Sequence, residues 1–282
     1  MPRRLRLDAE LVRRGLARSR EHAGELVRAG RVKVGGAVAT KPATAVTTDV
    51  ALLVTEDPDR PEYVSRGGHK LAGALDAFGP LGLEVRGRRC LDAGASTGGF
   101  TDVLLRAGAA QVVAVDVGYG QLAWALRSDD RVVVVDRTNI RDLSPGLVRE
   151  VAGDLVDLVV GDLSFISLTL VLDALAGVTG PGGDLVVMVK PQFEVGKGRV
   201  GKGGVVRDPA LRAEAVTAVA AAAAERGCGA RAVTTSPLPG PSGNVEYFLW
   251  LRRGATEIGE AEIDAEVRRT ARLGDPGEKV DP

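Results

Sequence analysis

The sequence predicts an α/β protein in which a doubly wound sheet with a reversed last strand follows a small α+β unit. From residue 89 to residue 251, short apolar strands alternate with helical segments, which is typical of a largely parallel sheet covered by helices on both faces. The sequence LPGPSGN, at 238–244, predicts a turn, so we expect the last two strands to pair as antiparallel neighbours. Residues 1–55 show a different pattern, two helical segments followed by short strands.

Apolar runs bounded by turn residues predict the elements of the sheet. The predicted strands are 89–92, 111–117, 131–136, 157–162, 184–190, 230–235 and 245–251. The clearest helix is 209–226, because Asp208 is a favoured N-cap residue and Pro209 fits the first helical position. After residue 252 the chain turns polar, and we expect an exposed helix at 260–273 and disorder from 274 to 282.

Composition limits the class of protein. The chain has 282 residues, of which 45% are apolar and 26% charged, enough for one ordinary domain and a small second one. With only Cys90, Cys228, His22 and His69, we expect neither a disulfide framework nor a structural zinc site, and we predict a reducing, cytoplasmic setting. The first residues lack the apolar segment of a signal peptide, and the apolar run at 215–224 is too short to span a membrane. We therefore predict a soluble protein.

The net charge is zero, but the charges are unevenly distributed. Residues 1–41 contain eleven basic and four acidic residues, a surplus of +7 that the rest of the chain balances with −7. A basic arm on an acidic body indicates a polyanionic partner such as RNA. The alternative is a solvated, charged helix face, which the clustering of the cations disfavours.

The stretch CLDAGASTGGF, at 90–100, predicts a strand, a glycine-rich turn and the start of a helix. Gly94 frees the turn from a Cβ atom, and Gly98 lets the backbone approach a ligand. Asp116 follows Gly94 by 22 residues, about where nucleotide-binding βαβ units hold a ribose with a carboxylate. The glycine spacing differs from the G-x-G-x-x-G of pyrophosphate binders, and an ordinary βαβ turn with structural glycines is the alternative.

Four ionisable residues are predicted to meet at one edge of the sheet. Asp162 and Lys190 end two of the parallel strands, and the reversed last strand brings Glu246 to the same edge. Lys70 precedes the first strand and can reach this edge from outside. A surface salt bridge explains any one of them alone, but their convergence favours a functional site.

Several long motifs resemble known families. The segment RLDAELVRRGLARSREHAGELVRAGRVKVGGAV, at 6–38, resembles the S-four RNA-binding fold, and DAGAS resembles the first motif of S-adenosylmethionine (SAM) methyltransferases. The whole set resembles the TlyA family of rRNA 2′-O-methyltransferases, which are also described as hemolysins and are related to the FtsJ-type methyltransferases. The further motifs of this resemblance are SRGGHKL, LDAGASTGGFTDVLL, AVDVGYGQLAW, RTNIRDL, DLSFISL, VKPQFE and GNVEYFLW, and it covers about residues 3–252.

The resemblance implies the Rossmann-like sheet of class I SAM methyltransferases, SAM as the cofactor, no required metal, and rRNA or assembled ribosomal subunits as partners. The implied catalytic residues are Lys70, Asp162, Lys190 and Glu246. The implied SAM-binding residues are Asp92, Gly94, Ala95, Ser96, Gly98, Asp116 and Asp136. The implied RNA-binding residues are Arg4, Arg6, Arg14, Arg18, Arg20, Arg31, Lys33 and Arg66.

We expect four segments: an RNA-binding domain at 1–59, a linker at 60–64, a methyltransferase domain at 65–252 and a polar tail at 253–282. The expected reaction moves a methyl group from SAM to a ribose 2′-oxygen, implied to be that of cytidine in 16S or 23S rRNA, with Lys190 positioning or deprotonating the hydroxyl. Two other functions stay open, a non-catalytic RNA-binding factor for ribosome assembly and a membrane-active hemolysin. The sequence defines neither the modified nucleotide nor the oligomeric state.

Overall fold

The computed structural model describes residues 4–17, 19–55, 62–255 and 258–271. Arg18, residues 60–61 of the predicted linker and residues 272–282 of the predicted tail lie outside this described part. The chain divides into two compact units, Met1–Glu62 and Tyr63–Pro282.

The first unit combines two helices with short strands. Its elements are β1 (Arg4–Arg6), α1 (Leu7–Arg13), α2 (Arg20–Arg28), β2 (Val32–Val34), β3 (Ala37–Val38), β4 (Ala45–Thr47) and β5 (Leu52–Val54). Strand β1 pairs antiparallel with β4, and β2 lies between β3 and β5. Ser19 caps α2, because its hydroxyl accepts a hydrogen bond from the His22 N–H at 3.1 Å.

Two buried carboxylates organise the charges of the first unit. Each forms two ion pairs: Glu10 with Arg13 and Arg14 at 2.6 and 2.7 Å, and Asp8 with Arg6 and Arg20 at 2.8 and 3.2 Å. Arg6 and then Arg20 lower the pKa of Asp8, and Arg13 and then Arg14 that of Glu10, in each case to about 2. Both carboxylates therefore stay ionised and neutralise part of the arm's positive charge.

The second unit is built on a seven-stranded sheet. Its strands are β6 (Arg89–Ala93), β7 (Gln111–Val115), β8 (Val132–Val135), β9 (Val156–Gly161), β10 (Thr179–Val189), β11 (Cys228–Thr235) and β12 (Tyr247–Arg253). The strand order is β11-β12-β10-β9-β6-β7-β8. Strand β12 is antiparallel to both of its neighbours, while the ladders from β10 to β8 are parallel. The predicted doubly wound sheet with a reversed last strand is confirmed.

Helices cover both faces of this sheet. They are α3 (Arg66–Phe78), α4 (Gly99–Arg106), α5 (Trp124–Arg127), α6 (Pro145–Ala152), α7 (Leu172–Val178), α8 (Pro191–Glu194), α9 (Pro209–Ala224) and α10 (Glu260–Ala271). Strand residues alternate between two buried apolar clusters, so that Leu91 packs into one cluster and its neighbour Cys90 into the other. The caps predicted for α9 are present, since Asp208 accepts from the Ala210 N–H at 2.9 Å.

Polar residues follow the strands at one edge of the sheet. Asp116 follows β7, Asp162 follows β9 and Lys190 follows β10, while Glu246 directly precedes β12. The predicted strands include these four residues, but the strands of the structure stop just short of them. After Lys190 the reason is clear, because Pro191 has no N–H with which to continue the ladder. These polar residues therefore lie just beyond the strands, at one edge of the sheet.

A buried carboxylate fastens the opposite end of the reversed strand. Asp184 is buried and lies where the pairing of β10 with β12 begins. Its carboxylate accepts hydrogen bonds from three groups. These are Arg88 Nη1 at 2.6 Å, Trp250 Nε1 at 2.7 Å and Arg252 Nε at 2.7 Å. Because two of the donors lie on β12, these bonds hold the register between β10 and β12.

The C-terminal helix α10 differs from the prediction of an exposed helix. Ile263 and Val267 are 1% and 0% exposed and belong to the same apolar cluster as the strands of the sheet. The sequence around them is polar, which explains the wrong prediction: two apolar residues spaced four apart are enough to bury one face of a short helix. The described part of this segment thus packs as part of the second unit.

Candidate active site

The glycine-rich turn between β6 and α4 lies close to the residues that follow β9. Gly94 has a φ of 83°, and a Cβ atom there would lie 3.0 Å from the Asp162 carbonyl oxygen and 3.1 Å from Leu163 Cδ2. Only glycine therefore allows this approach. Gly98 has a φ of 99°, a backbone conformation that residues with a side chain rarely adopt.

Asp116 ties this turn to the segment after β7. Its carboxylate accepts the Ser96 N–H at 2.8 Å and the Gly118 N–H at 2.7 Å. Ser96 itself has a φ of 48°, an uncommon conformation for a residue with a side chain. The carboxylate thus orients the backbone of both loops at the point where they face each other.

A cleft of about 560 Å³ opens beside these loops. Its lining comes from the turn, from the segments after β7 and β8 and from the segment after β9: Gly94, Ser96, Asp116, Val117, Gln121, Thr138, Asn139, Ile140, Arg141, Asp162, Leu163, Ser164, Phe165 and Ile166. An adjoining cavity of about 210 Å³ shares Gly94, Ser96 and Asp162 and adds Ala95 and Ser65 among its lining residues. The volume suits a nucleoside-sized ligand.

The cleft fits the SAM that the DAGAS motif implies. Asp116 offers a carboxylate for ribose hydroxyls, and Gly94 leaves room for close approach of a ligand to the backbone. Of the predicted SAM-binding residues, Gly94, Ser96 and Asp116 line this cleft, and Ala95 lines the adjoining cavity. These residues would hold the cofactor.

Asp92 and Asp136, also predicted to bind SAM, have other partners in the structure. The Asp92 side chain is fully buried beneath the turn and accepts from the Thr101 hydroxyl at 2.7 Å, so its side chain supports the loop from below. Asp136 pairs with Arg127 at 3.0 Å and does not line the cleft. For both residues, strand position alone could not reveal these partners.

Burial also changes the titration of Asp92. Removal from water raises the pKa of its carboxyl to about 7, although the hydrogen bonds from Thr101 oppose this shift, and the nearby charges of Asp162 and Asp116 add to it. Its second oxygen, Oδ1, is buried and has no hydrogen-bond partner among the described residues. A protonated Asp92 is therefore present in part of the folded population at neutral pH.

The four predicted catalytic residues form two ion pairs. Lys70 Nζ lies 2.6 Å from Glu246 Oε2, and the two side chains are 9% and 1% exposed. Lys190 Nζ lies 2.5 Å from Asp162 Oδ1, a close ion pair rather than an aligned hydrogen bond. Of the four residues, Asp162 is the one that lines the cleft.

Ser164 and Phe165 are candidate site residues that the sequence analysis missed. The Lys190 ammonium donates to Ser164 Oγ at 2.8 Å, beside its contact with Asp162. Phe165 is 92% exposed, lines the cleft and has a φ of 63°. The motif DLSFISL carried the available signal, since a serine and an aromatic residue directly follow the strand-end carboxylate.

The wall made by Gln121 and the segment 138–141 was also missed. All four residues of this segment lie in the RTNIRDL motif, after the strand that ends at Val135. The sequence rule that ligands bind beyond the carboxyl ends of parallel strands applies to this strand as well as to its neighbours.

The predicted RNA-binding residues differ in how their charges are used. Among described residues, no carboxylate pairs with Arg4 or Lys33, whereas Arg6 and Arg20 pair with Asp8, Arg14 with Glu10, and Arg31 with Glu62 at 2.7 Å. In the second unit, the exposed Arg66 donates to the Pro239 carbonyl at 3.3 Å. Arg18 lies outside the described residues.

Within the described ranges, no group of three or more His, Cys, Asp or Glu side chains is arranged to hold a metal ion. Over the same residues, no helix combines the length and the apolar character needed to cross a membrane.

Known protein families match both units of the chain. Residues 63–253 match the model of the FtsJ-like methyltransferases, and residues 5–51 match that of the S4 domain. The chain is 64% identical over 252 residues to the 16S/23S rRNA (cytidine-2′-O)-methyltransferase TlyA of Mycobacterium tuberculosis, covering 89% of this chain and 91% of the relative. It is 37% identical to Hemolysin A of Brachyspira hyodysenteriae, covering 86% and 98%. A solved structure from Streptococcus thermophilus, described as a presumed hemolysin, aligns with a TM-score of 0.71 and 37% identity over 97% of both chains.

Asp92→Asn should flatten the dependence of stability on pH. The folded pKa of about 7 lies above the ordinary value of 3.8, so the folded protein keeps a proton that the unfolded chain releases. The contribution of this carboxyl to the free energy of unfolding is therefore fully present below about pH 4, and it is lost as the pH rises through about 7. Asparagine cannot ionise, and the variant should lack this decline. Urea unfolding between about pH 4 and 8 measures it, with Asp130→Asn at an exposed site as the control. An equally steep decline in Asp92→Asn would contradict the assignment.

Asp116→Ala should weaken SAM binding about tenfold or more. The change removes charge-assisted hydrogen bonds to the cofactor, each worth roughly 1.5–3 kcal/mol, and also the bonds that order Ser96 and Gly118. Titration calorimetry with SAM measures the affinity. Asp130→Ala, an exposed carboxylate outside the cleft lining, should bind SAM as the unchanged protein does. Unchanged affinity in Asp116→Ala would remove Asp116 from the site.

Proposed function

Because the chain belongs to the FtsJ-like methyltransferases and carries an S4 domain, we propose that it methylates the ribose 2′-hydroxyl of cytidine in 16S or 23S rRNA. The 64% identity to a TlyA enzyme named for that activity supports the choice of substrate. SAM supplies the methyl group when bound. The chain's own residues have to hold the cofactor, align the acceptor hydroxyl and handle its proton.

The observation that carries this proposal is the ammonium of Lys190, which contacts two residues of the cleft lining, Asp162 and Ser164. An ammonium has three N–H donors, and the described contacts of Lys190 are with Asp162 and with Ser164. At least one N–H donor is thus available for the acceptor 2′-oxygen. Asp162 keeps the lysine in place and contributes to the cleft lining, so the lysine and the cofactor site are neighbours. We assign Lys190 to position the hydroxyl as an ammonium or, as the neutral amine, to accept its proton.

Lys70 and Glu246 form the supporting half of the site. Their pair is almost completely buried, and Gln192 Nε2 lies 3.4 Å from Glu246 Oε1. Gln192 is two residues from Lys190, so this contact links the two lysine–carboxylate pairs through α8. In our proposal Glu246 orients Lys70 and fixes the start of α8 rather than meeting the substrate.

Phe165 suits a contact with the base of the acceptor nucleotide. An aromatic ring that is 92% exposed at the rim of a cleft is costly to leave in water, but it offers a flat face to an unstacked base. Each such base–aromatic stack is worth roughly 1–3 kcal/mol. Holding the base fixes the ribose that is attached to it.

The first unit supplies the RNA affinity in this proposal. Arg4 and Lys33 are its best candidates for phosphate contacts, because no described carboxylate pairs with either. Arg14 and Arg31 have half-buried guanidinium groups that bond to backbone carbonyls as well as to carboxylates. We assign these two arginines to the fold of the unit. We further propose that the protein acts in the cytoplasm, where ribosomal subunits are.

Lys190→Ala should slow single-turnover methylation of rRNA about 10²–10⁴-fold while SAM affinity stays nearly unchanged. Lys190→Arg should not restore the rate, because a planar guanidinium neither reproduces an ammonium nor acts as a base. Lys202→Ala, an exposed lysine outside the cleft lining, is the matched control and should react at the unchanged rate when RNA is saturating.

Near-normal single-turnover rates in both Lys190 variants would assign this lysine to structure. If SAM still binds but neither the unchanged protein nor any variant methylates rRNA or ribosomal subunits, a non-catalytic role in ribosome assembly becomes the better function.

If the protein does methylate RNA, mapping of ribose methylation in cells with and without it identifies the nucleotide.

Arg4→Ala should weaken rRNA binding and lower the slope of log affinity against log salt by about one, because one phosphate contact is lost. Arg14→Ala should act differently. It breaks the ion pair with Glu10 and the bonds to the carbonyls of Thr48 and Val50, so the first unit should lose stability. Filter binding at several salt concentrations and thermal unfolding separate the two effects. An unchanged salt slope in Arg4→Ala would exclude Arg4 from the RNA contact.

A further inference from the structure

Glu194 bonds to the loop that carries the acceptor side of the site. This carboxylate ends α8, and its two oxygens both bond to the segment after β9: Oε2 accepts from Ser167 Oγ at 2.5 Å, and Oε1 accepts from the Leu168 N–H at 2.9 Å. No other side chain of α8 bonds to this segment among the described hydrogen bonds. Glu194 is not part of the predicted site.

The bonded groups begin a short turn, Leu168–Leu170, of the 3-10 type. The first N–H groups of such a turn have no partner within it, and a carboxylate is a favourable acceptor for them. Ser167 caps the same turn by accepting from the Thr169 N–H at 3.2 Å. The Glu194 carboxyl is half-buried, which raises its pKa, whereas its bonds to Ser167 and Leu168 lower it.

The loop held in this way has a strained residue at its centre. Phe165 has a φ of 63° although it carries a bulky side chain, and such a conformation persists only where the surroundings enforce it. Its ring lies 5.4 Å from the ring of Phe193, the residue before Glu194. One residue earlier, Ser164 Oγ accepts from Lys190.

Residues 190–194 therefore contact the loop 162–168 at three points. Lys190 contacts Asp162 and Ser164, and Phe193 packs against Phe165. Glu194 bonds to Ser167 and Leu168, further along the loop. The first two contacts involve side chains of the reaction site itself. The third lies outside the cleft lining, at the end of the loop.

We propose that Glu194 is a positioning residue for the acceptor: its carboxylate holds the loop 162–168 so that Ser164 reaches Lys190 and Phe165 faces the cleft. This inference rests on the methyl transfer proposed above. Glu194 touches neither cofactor nor acceptor in this role, and it acts through the loop.

Three variants separate hydrogen bonding from charge. Glu194→Ala removes both bonds. Glu194→Gln keeps both, because its carbonyl oxygen can accept from the Leu168 N–H while its NH₂ donates to Ser167 Oγ, which accepts as well as donates. Ser167→Ala removes one of the two bonds with a smaller change to the chain, and it serves if Glu194→Ala does not fold.

The first measurement is hydrogen–deuterium exchange of the full-length protein, which needs no activity. Glu194→Ala should speed exchange at residues 164–170 while the amides of β9 and β10 stay protected, and Ser167→Ala should do so to a smaller extent. The second is single-turnover methylation at saturating SAM and rRNA. Glu194→Ala should be about tenfold slower or more, because a displaced acceptor loses alignment, and Glu194→Gln should stay within about threefold of the unchanged protein.

Some results would overturn the proposal. Unchanged exchange at 164–170 in both Glu194→Ala and Ser167→Ala would show that the carboxylate is not the anchor, and a uniform rise across the sheet would reveal a merely structural role. A Glu194→Gln rate as low as that of Glu194→Ala, with the loop still protected, would point to a chemical role of the charge. If the unchanged protein methylates no RNA, the proposed function fails, and the exchange data alone then decide whether Glu194 anchors the loop.

Discussion

The antiparallel pairing of β12 with β10 is the constraint on which the candidate site depends. Val189 pairs with Tyr247, so the residues just beyond this pair, Lys190 and Glu246, leave the sheet at the same edge. The buried carboxylate of Asp184 holds the same ladder at its other end by bonding donors on β12. A slip of one residue would turn every side chain of β12 to the opposite face of the sheet. The register of this one ladder thus decides where Glu246, the buried carboxylate of the site, lies.

The ion pairs at this edge are a poor explanation of stability. Burying Lys70 and Glu246 removes both charges from water, and the attraction between them offsets this cost only in part. An apolar pair of similar volume would serve packing at least as well. The polar pair instead keeps an ammonium and a carboxylate beside a second pair, Lys190 and Asp162, at the rim of a cleft. A site that has to orient a hydroxyl and handle its proton needs such fixed charges.

The first unit uses carboxylates for a different purpose. Asp8 and Glu10 are buried beneath a surface rich in arginine and bind four guanidinium groups between them. The surplus charge of the arm is therefore not equally available to a polyanion. Residues such as Arg4, whose charge no described carboxylate balances, contribute most to its field, because a neutralised cation has little left to offer a phosphate.

The sequence by itself determined the sheet, its reversed last strand, the glycine-rich turn and the edge at which the polar residues meet. These features follow from local patterns, in which apolar periodicity, turn residues and strand ends are all visible within a few residues. Only the tertiary structure decided that Asp92 lies buried beneath the turn, that α10 packs on the sheet, and that Glu194 bonds to the loop around Phe165. Each of these depends on contacts between residues far apart in the chain, and a contact of that kind leaves no local pattern in the sequence.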